Sequence, residues 1–186
     1  MQPLIDALFW LTLASWFGSA LVCAVAPPII LKAIHDADPT LPRVLSVNLD
    51  HQHSTLLAGT VVGEMLKIFF RVQLVCAAVL LPALAAKWFV TNLQGPAVVL
   101  PLMVTALYFA GLAFVLFGLL SVLPKVIAHR DKYIANADDP DIANPELDHF
   151  DRHSASMSGV VRNVLFIVLG MIVFSSALAP RFTHIQ

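Results

Sequence analysis

Charged residues are scarce in this chain of 186 residues. Asp, Glu, Lys and Arg make up only 12% of the sequence, whereas they make up about a quarter of an ordinary soluble domain. The mean hydropathy is correspondingly high, at +0.82. A formal net charge of −1 supplies no basic surface for a nucleic acid. We therefore predict a protein whose main solvent is the lipid bilayer and which has no nucleic-acid partner.

Motifs that carry chemistry are also missing. The two cysteines, Cys23 and Cys76, lie in apolar runs and form no CxxC pair, which argues against a disulfide framework and against a zinc knuckle. The sequence has no GxSxG, P-loop or GxGxxG motif, so nothing indicates a catalytic serine or a bound nucleotide. We predict no catalytic residue, and an enzymatic activity is not favoured.

Four apolar stretches stand out, at about 4–31, 56–89, 97–123 and 160–179. Each reaches the roughly 20 residues that a helix needs to cross the hydrocarbon of a bilayer. The first stretch contains no Lys or Arg, which a secretory signal peptide would carry, so we interpret it as a retained span. Lipid offers no water to satisfy open backbone groups, so each span must be helical. The predicted fold is all-α, a polytopic membrane protein with a four-transmembrane-helix bundle.

Lys and Arg are distributed unevenly between the two ends of these spans. The predicted outer side carries only Lys87 and Arg181. Because Lys and Arg are enriched on the cytoplasmic side, we predict that both longer connections are cytoplasmic and that the N- and C-termini lie outside. The basic residues on the predicted cytoplasmic side are Lys32, Arg43, Lys67, Arg71, Lys125, Arg130, Lys132, Arg152 and Arg162.

Two capping patterns predict where helices begin on that side. Thr40 is placed as an N-cap for a helix that continues to about residue 86. Asn144 is followed by Pro145, which is typical of an N-cap and the first helical position. The polar, acidic stretch at about 129–145 is predicted to be a cytoplasmic loop.

The two halves of the sequence resemble each other. The stretch "LDHQHSTLLAGTVV" opens the second span and "LDHFDRHSASMSGVV" opens the fourth. The ends of the first and third spans also match, since "PPIILKAIHDAD" contains His35 and "LPKVIAHRD" contains His129. We predict one four-span domain, residues 1–186, built from two repeated helical hairpins at about 1–92 and 93–186.

One face of the second span is polar. Glu64, Lys67 and Arg71 are spaced three and four residues apart, so they share a helix face, and the fourth span carries Arg162 and Asn163. Charges in a span are costly and usually face the bundle interior, a partner or water. One interpretation is a polar cavity for an anionic or zwitterionic ligand. The alternative is an ion-pair cluster whose cations extend to lipid phosphates.

The histidines form a second candidate site. His149 and His153 are four residues apart on one helix face, as a chelating pair would be. His53 is the counterpart of His153 in the other hairpin, so the two could face each other across the bundle. Such a pair suits haem b, and with Asp side chains it suits a transition metal. Alternatively, the histidines cap helices and contact headgroups, or switch with pH. The candidate ligands are His53, His149, His153, Asp50, Asp148 and Asp151.

Two motifs, one in the first span and one in the fourth, can be compared with known membrane proteins. The segment "WFGSALVCAVAPPII" contains Gly18 and then Ala26-Pro27, and "FDRHSASMSGVVRNVLFIVLG" runs from His153 to Asn163. The chain resembles the transmembrane protein 205-like family of small four-span proteins over nearly its whole length. That resemblance implies an integral protein of a bacterial inner membrane. The family is distantly similar to copper-resistance protein D and to HemJ-type haem-biosynthesis oxidases, which implies a role for a metal or haem.

Three functions remain open from the sequence. The favoured one is a non-enzymatic accessory or assembly subunit, or a structural bundle, in a membrane complex or a homo-oligomer. Small residues such as Ala14 and Gly18 suit close contact with a partner helix. The second is a haem- or metal-binding membrane protein that uses the histidines. The third is a small transporter or exporter that uses the polar cavity.

Overall fold

The computed structural model describes residues 2–37, 53–90, 98–136 and 139–178. These residues are helical almost throughout, and none of them forms a strand. The helices are α1 (Gln2–Ala37), α2 (His53–Val90), α3 (Val99–Phe117), α4 (Leu123–Ala135) and α5 (Pro140–Leu178). A π-helical turn, Gly118–Val122, joins α3 and α4 into one continuous rod.

Each of the four rods is long and apolar enough to cross a membrane, which confirms the predicted all-α fold with four candidate spans. The helices α1, α2 and α5 contain 36, 38 and 39 residues. At 1.5 Å per residue they are about 54 to 58 Å long, whereas the hydrocarbon of a bilayer is about 30 Å thick. In a bilayer, helices of this length would extend beyond the hydrocarbon.

The charged side chains are concentrated at one end of the bundle. We call this the polar end; α1 and α4 finish there, and α2 and α5 begin there. Among the described charged residues only Asp6 and Lys87 lie at the opposite end. There, Nζ of Lys87 is 2.8 Å from Oδ1 of Asp6 and 4.1 Å from the centre of the Phe9 ring. This contact ties α1 to α2 far from the polar end.

The helices pack in two pairs. The most extensive packing joins α1 to α2, and α5 packs against both α3 and α4. Contacts of α1 with α5 and of α2 with α3 then join the two pairs. This pairing is compatible with two helical hairpins, and the sequence repeat itself stays a prediction.

Hydrogen bonds between helices cross the apolar core. Nε2 of the fully buried Gln73 on α2 donates to Oγ of Ser19 at 2.6 Å and to the carbonyl oxygen of Trp16 at 3.3 Å. The Tyr108 hydroxyl on α3 donates to the carbonyl oxygen of Ala77 on α2 at 3.0 Å. A polar group buried in an apolar environment is costly without a partner, so these bonds fix the register of α1 and α3 on α2.

The π-helical turn lies just before a proline. In a regular α-helix Pro124 would donate nothing to the carbonyl of Leu120, and its ring would crowd that carbonyl. The turn at Gly118–Val122 ends two residues before Pro124, and its wider winding relieves the crowding. The third rod therefore continues through the proline without a break.

Gly118 allows three helices to approach closely at this turn. A Cβ atom at Gly118 would lie 2.6 Å from Cζ of Phe70 on α2 and 2.9 Å from Cγ1 of Val160 on α5. Both neighbouring side chains are buried and have little room to move. Only a glycine fits this position without displacing its neighbours.

The prediction that α5 begins after Asn144 is wrong, because α5 begins at Pro140. Oδ1 of Asp139 accepts a hydrogen bond from the backbone N–H of Asp141 at 3.1 Å, and the carbonyl oxygen of Asp139 accepts one from Ala143 at 2.9 Å. An aspartate cap followed by proline at the first helical position is a strong helix start. The helix therefore begins five residues earlier than the predicted cap at Asn144 would begin it.

The predicted loop at about 129–145 is consequently too long. The helix α4 continues to Ala135, and the backbone N–H of Asn136 still bonds the carbonyl oxygen of Lys132 at 3.1 Å. Only residues 136–139 separate α4 from α5. The predicted cap at Thr40 lies outside the described residues.

Candidate functional site

Three imidazoles come together at the polar end of the bundle. His129 on α4 stacks against His149 on α5, with ring centroids 5.1 Å apart and an interplanar angle of 28°. The same ring stacks against His153, at 5.2 Å and 20°. We call this the imidazole cluster: His129, His149 and His153.

Helix geometry explains why these side chains meet. Glu146, His149 and His153 follow one another at three and four residues on α5, so they lie on one helix face. On α4 the buried Val126 and Tyr133 flank His129 and hold that face against α5. The packing of α4 on α5 therefore presents His129 to the two histidines.

Glu146 completes the cluster. Its Oε2 is 2.5 Å from Nδ1 of His129, and its Oε1 is 3.6 Å from Nζ of Lys132. Both side chains of the Glu146–His129 pair are about one-fifth exposed. When Nδ1 donates its proton to a carboxylate, Nε2 of the same ring keeps a free lone pair. Glu146 thus favours the tautomer of His129 that can bind a metal.

Other positive charges lie near the cluster. Lys125 and Arg152 are close enough to His153 to act on it electrostatically. Lys132 is already paired with Glu146.

The imidazole nitrogens of His129, His149 and His153 do not point to one common position. Among the described side chains, no three His, Cys, Asp or Glu residues are arranged to hold a metal ion. The imidazoles turn their faces to one another, so coordination of one ion requires the rings to rotate about their Cβ–Cγ bonds.

The remaining sequence-predicted ligands are placed differently. His53 is the first residue of α2, but its side chain and the whole of Asp50 lie outside the described part of the chain. The predicted haem pair of His53 and His153 therefore stays a prediction. Asp148 is exposed, and Asp151 lines a cavity between α1, α2 and α5.

The sequence reasoning missed His129 and Glu146. Two signals point to them in retrospect. His129 has a counterpart, His35, in the predicted repeat, so its position recurs. Glu146 and His149 form a Glu-x-x-His pattern, which metal-binding helix bundles use to present a carboxylate and an imidazole together.

The five residues predicted for a polar cavity do not all line one cavity. Glu64 and Lys67 form an ion pair with 2.6 Å between Oε1 and Nζ. Arg71 and Asn163 are exposed, and among the five only Arg162 is a lining residue of the cavity between α1, α2 and α5. Both interpretations of this face stay predictions.

Comparisons of the chain with protein-family models, with curated proteins and with solved structures found no match. The resemblance to the transmembrane protein 205-like family therefore stays an expectation from the sequence. The candidate function depends on the imidazole cluster itself.

Proposed function

We propose that this chain is an integral membrane protein that binds a transition-metal ion through His129, His149 and His153, with Glu146 orienting His129. The observation that carries the proposal is the contact between Glu146 and Nδ1 of His129, beside two further imidazoles. A carboxylate that holds one ring nitrogen of a metal-ligating histidine is a common arrangement around bound metals.

The donor set indicates which ions would bind. Neutral imidazole suits Zn²⁺, Cu²⁺ and Ni²⁺. The spacing of His149 and His153 lets two ligands come from one helix, and His129 adds a third from α4. Three protein nitrogens leave one position of a tetrahedral ion open to water or to another ligand. By the distribution of Lys and Arg, the ion would be taken up from the cytoplasm.

A metal titration tests the proposal. The protein, purified in mild detergent, stripped with a chelator and reloaded with Zn²⁺ or Cu²⁺, is expected to retain about one ion per chain after dialysis. Its affinity should fall between about pH 7.5 and 5.5, because protons compete with metal for imidazole. The His35→Ala variant is a matched control, since His35 is an exposed histidine outside the cluster. The proposal would be rejected if His35→Ala lost as much metal as His129→Ala, or if the wild type retained no metal.

An accessory or assembly role remains a second candidate. Ala14 is exposed on α1, and a Cβ atom at Gly18 would have no atom within 4 Å. This small-residue face is therefore open to a second helix, and in lipid such faces allow close contact between helices. In mild detergent the particle mass should exceed one chain, and Gly18→Leu should reduce it. A monomer under all mild conditions would argue against this role.

A further inference from the structure

A cavity opens between α1, α2 and α5 near the polar end. Its volume is about 440 Å³, within the range of small-molecule sites. Pro27 and Pro28 on α1 and Gly59 and Gly63 on α2 line it. Gly59 and Gly63 have no side chain to fill this space.

The two walls of the cavity differ in chemistry. Leu31 on α1, with Val62 and Leu66 on α2, makes the facing wall apolar. The α5 wall carries a polar stripe of Asp151, Ser154, Ser158 and Arg162, spaced three, four and four residues apart on one helix face. Phe150, Met157 and Val161 of α5 also line the cavity, so its lining is mainly apolar with one polar stripe, which suits a ligand that has both an apolar and a polar part.

Among the residues that the structure describes, Arg162 is the one basic residue in the lining of this cavity. Arg162 is exposed and lies where α5 becomes continuously apolar. Arg130 of α4 lies near Gly63 of α2 but does not line the cavity, and it is paired with Asp131 at 2.9 Å. Asp151 is eleven residues from Arg162, or about 16 Å along the helix, too far to neutralise it.

We propose that this cavity binds an anionic phospholipid, whose phosphate contacts Arg162 and whose apolar part lies against α1 and α2. Arg162 lies where α5 becomes continuously apolar, so in a bilayer it would be near the level of the lipid phosphates. Basic pockets between transmembrane helices on the cytoplasmic side bind anionic headgroups, and guanidinium binds phosphate oxygens with paired hydrogen bonds. This site is separate from the imidazole cluster and does not depend on a bound metal.

Native mass spectrometry and lipid titration test the proposal. Phosphatidylglycerol, added to delipidated protein in mild detergent, is expected to bind in preference to phosphatidylcholine. The Arg162→Gln variant should lose about tenfold in affinity for phosphatidylglycerol, because a hydrogen-bonded charge is removed. Arg152→Gln is the matched control: the same change, on the same helix, at an exposed residue that does not line the cavity. If both variants lost the same affinity, the effect would come from general surface charge and not from the cavity, and the proposal would be overturned.

A second variant separates the apolar part of the site from its charge. Ala24 lines the cavity and is partly buried, so Ala24→Phe should fill the space and weaken the binding of phosphatidylglycerol while Arg162 is retained. Competition with inorganic phosphate distinguishes a lipid site from a free-phosphate site. Unchanged binding in Ala24→Phe, or displacement by inorganic phosphate as effective as by the lipid, would contradict a phospholipid site.

Discussion

Replacing His129 with alanine is expected to weaken binding of Zn²⁺ by about 100-fold, because one of three nitrogen ligands and the whole contribution of α4 are lost. Glu146→Gln should weaken binding by about 10-fold, since it keeps the shape of the side chain but removes the charge that orients Nδ1 of His129. Isothermal titration of chelator-stripped protein in mild detergent measures both effects.

The controls for this prediction separate a ligand from a structural residue. His129 is only about one-fifth exposed and contacts Glu146, so the melting temperature of the metal-free His129→Ala variant is measured first, as the baseline for the effect of metal. The metal-induced rise in melting temperature should disappear, because an ion that binds only the folded state stabilises it. Wild-type affinity in His129→Ala would show that α4 supplies no ligand.

Replacing Gly118 with alanine is expected to lower the free energy of unfolding by about 1 to 3 kcal/mol, the cost of overpacking a well-packed core. The new methyl group would lie within 3 Å of Phe70 and Val160, which are both buried. Denaturant unfolding in detergent, followed by circular dichroism, measures the change.

Gly18 is the matched control for that substitution. It is also a glycine inside a long helix, but a Cβ atom there would meet nothing within 4 Å. Gly18→Ala should therefore stabilise the protein by about 0.5 to 1 kcal/mol, since glycine is the weaker helix former. Equal stability of the two variants would mean that the close approach of α2 and α5 to Gly118 does not constrain the fold.

The four candidate spans are predictable from the sequence because the signal is physical and local. Each stretch is continuously apolar for about the thickness of a bilayer, and lipid permits only a helix there. The shared face of His149 and His153 is also predictable, because it follows from 3.6 residues per turn.

The third imidazole could not be predicted in the same way. His129 reaches the cluster only because α4 packs on α5 with Val126 and Tyr133 buried, and this packing depends on the path of the whole third rod. That rod continues past Pro124 through the π-helical turn, where the sequence alone does not distinguish a wider turn from a kink. The periodicity of apolar residues along a helix does not predict which other helix it packs against.

The start of α5 shows how two local signals compete. Asn144-Pro145 and Asp139-Pro140 both have the pattern of a cap followed by proline. The earlier pair caps the helix because Oδ1 of Asp139 bonds the backbone N–H of Asp141. Glu146 then lies at the end of the second turn of the helix.

The polar residues of the second span illustrate a different limit. The spacing of Glu64 and Lys67 predicts that they share a face, but it does not determine whether they face a cavity or each other. In the structure they form an exposed ion pair, whereas Arg162, on a different helix, lines the cavity. The residues that line a cavity are decided by how the helices pack, which the spacing of residues in one helix does not determine.

X-ray absorption spectroscopy of the zinc-loaded protein tests the central claim most directly, because it reports the atoms bound to the metal. We expect imidazole nitrogens at about 2.0 to 2.1 Å, with the outer-shell scattering of histidine rings, and fewer imidazoles in the His129→Ala variant. A shell of oxygen alone, a sulfur shell at about 2.3 Å, or a spectrum that His129→Ala leaves unchanged would contradict a metal site at the imidazole cluster.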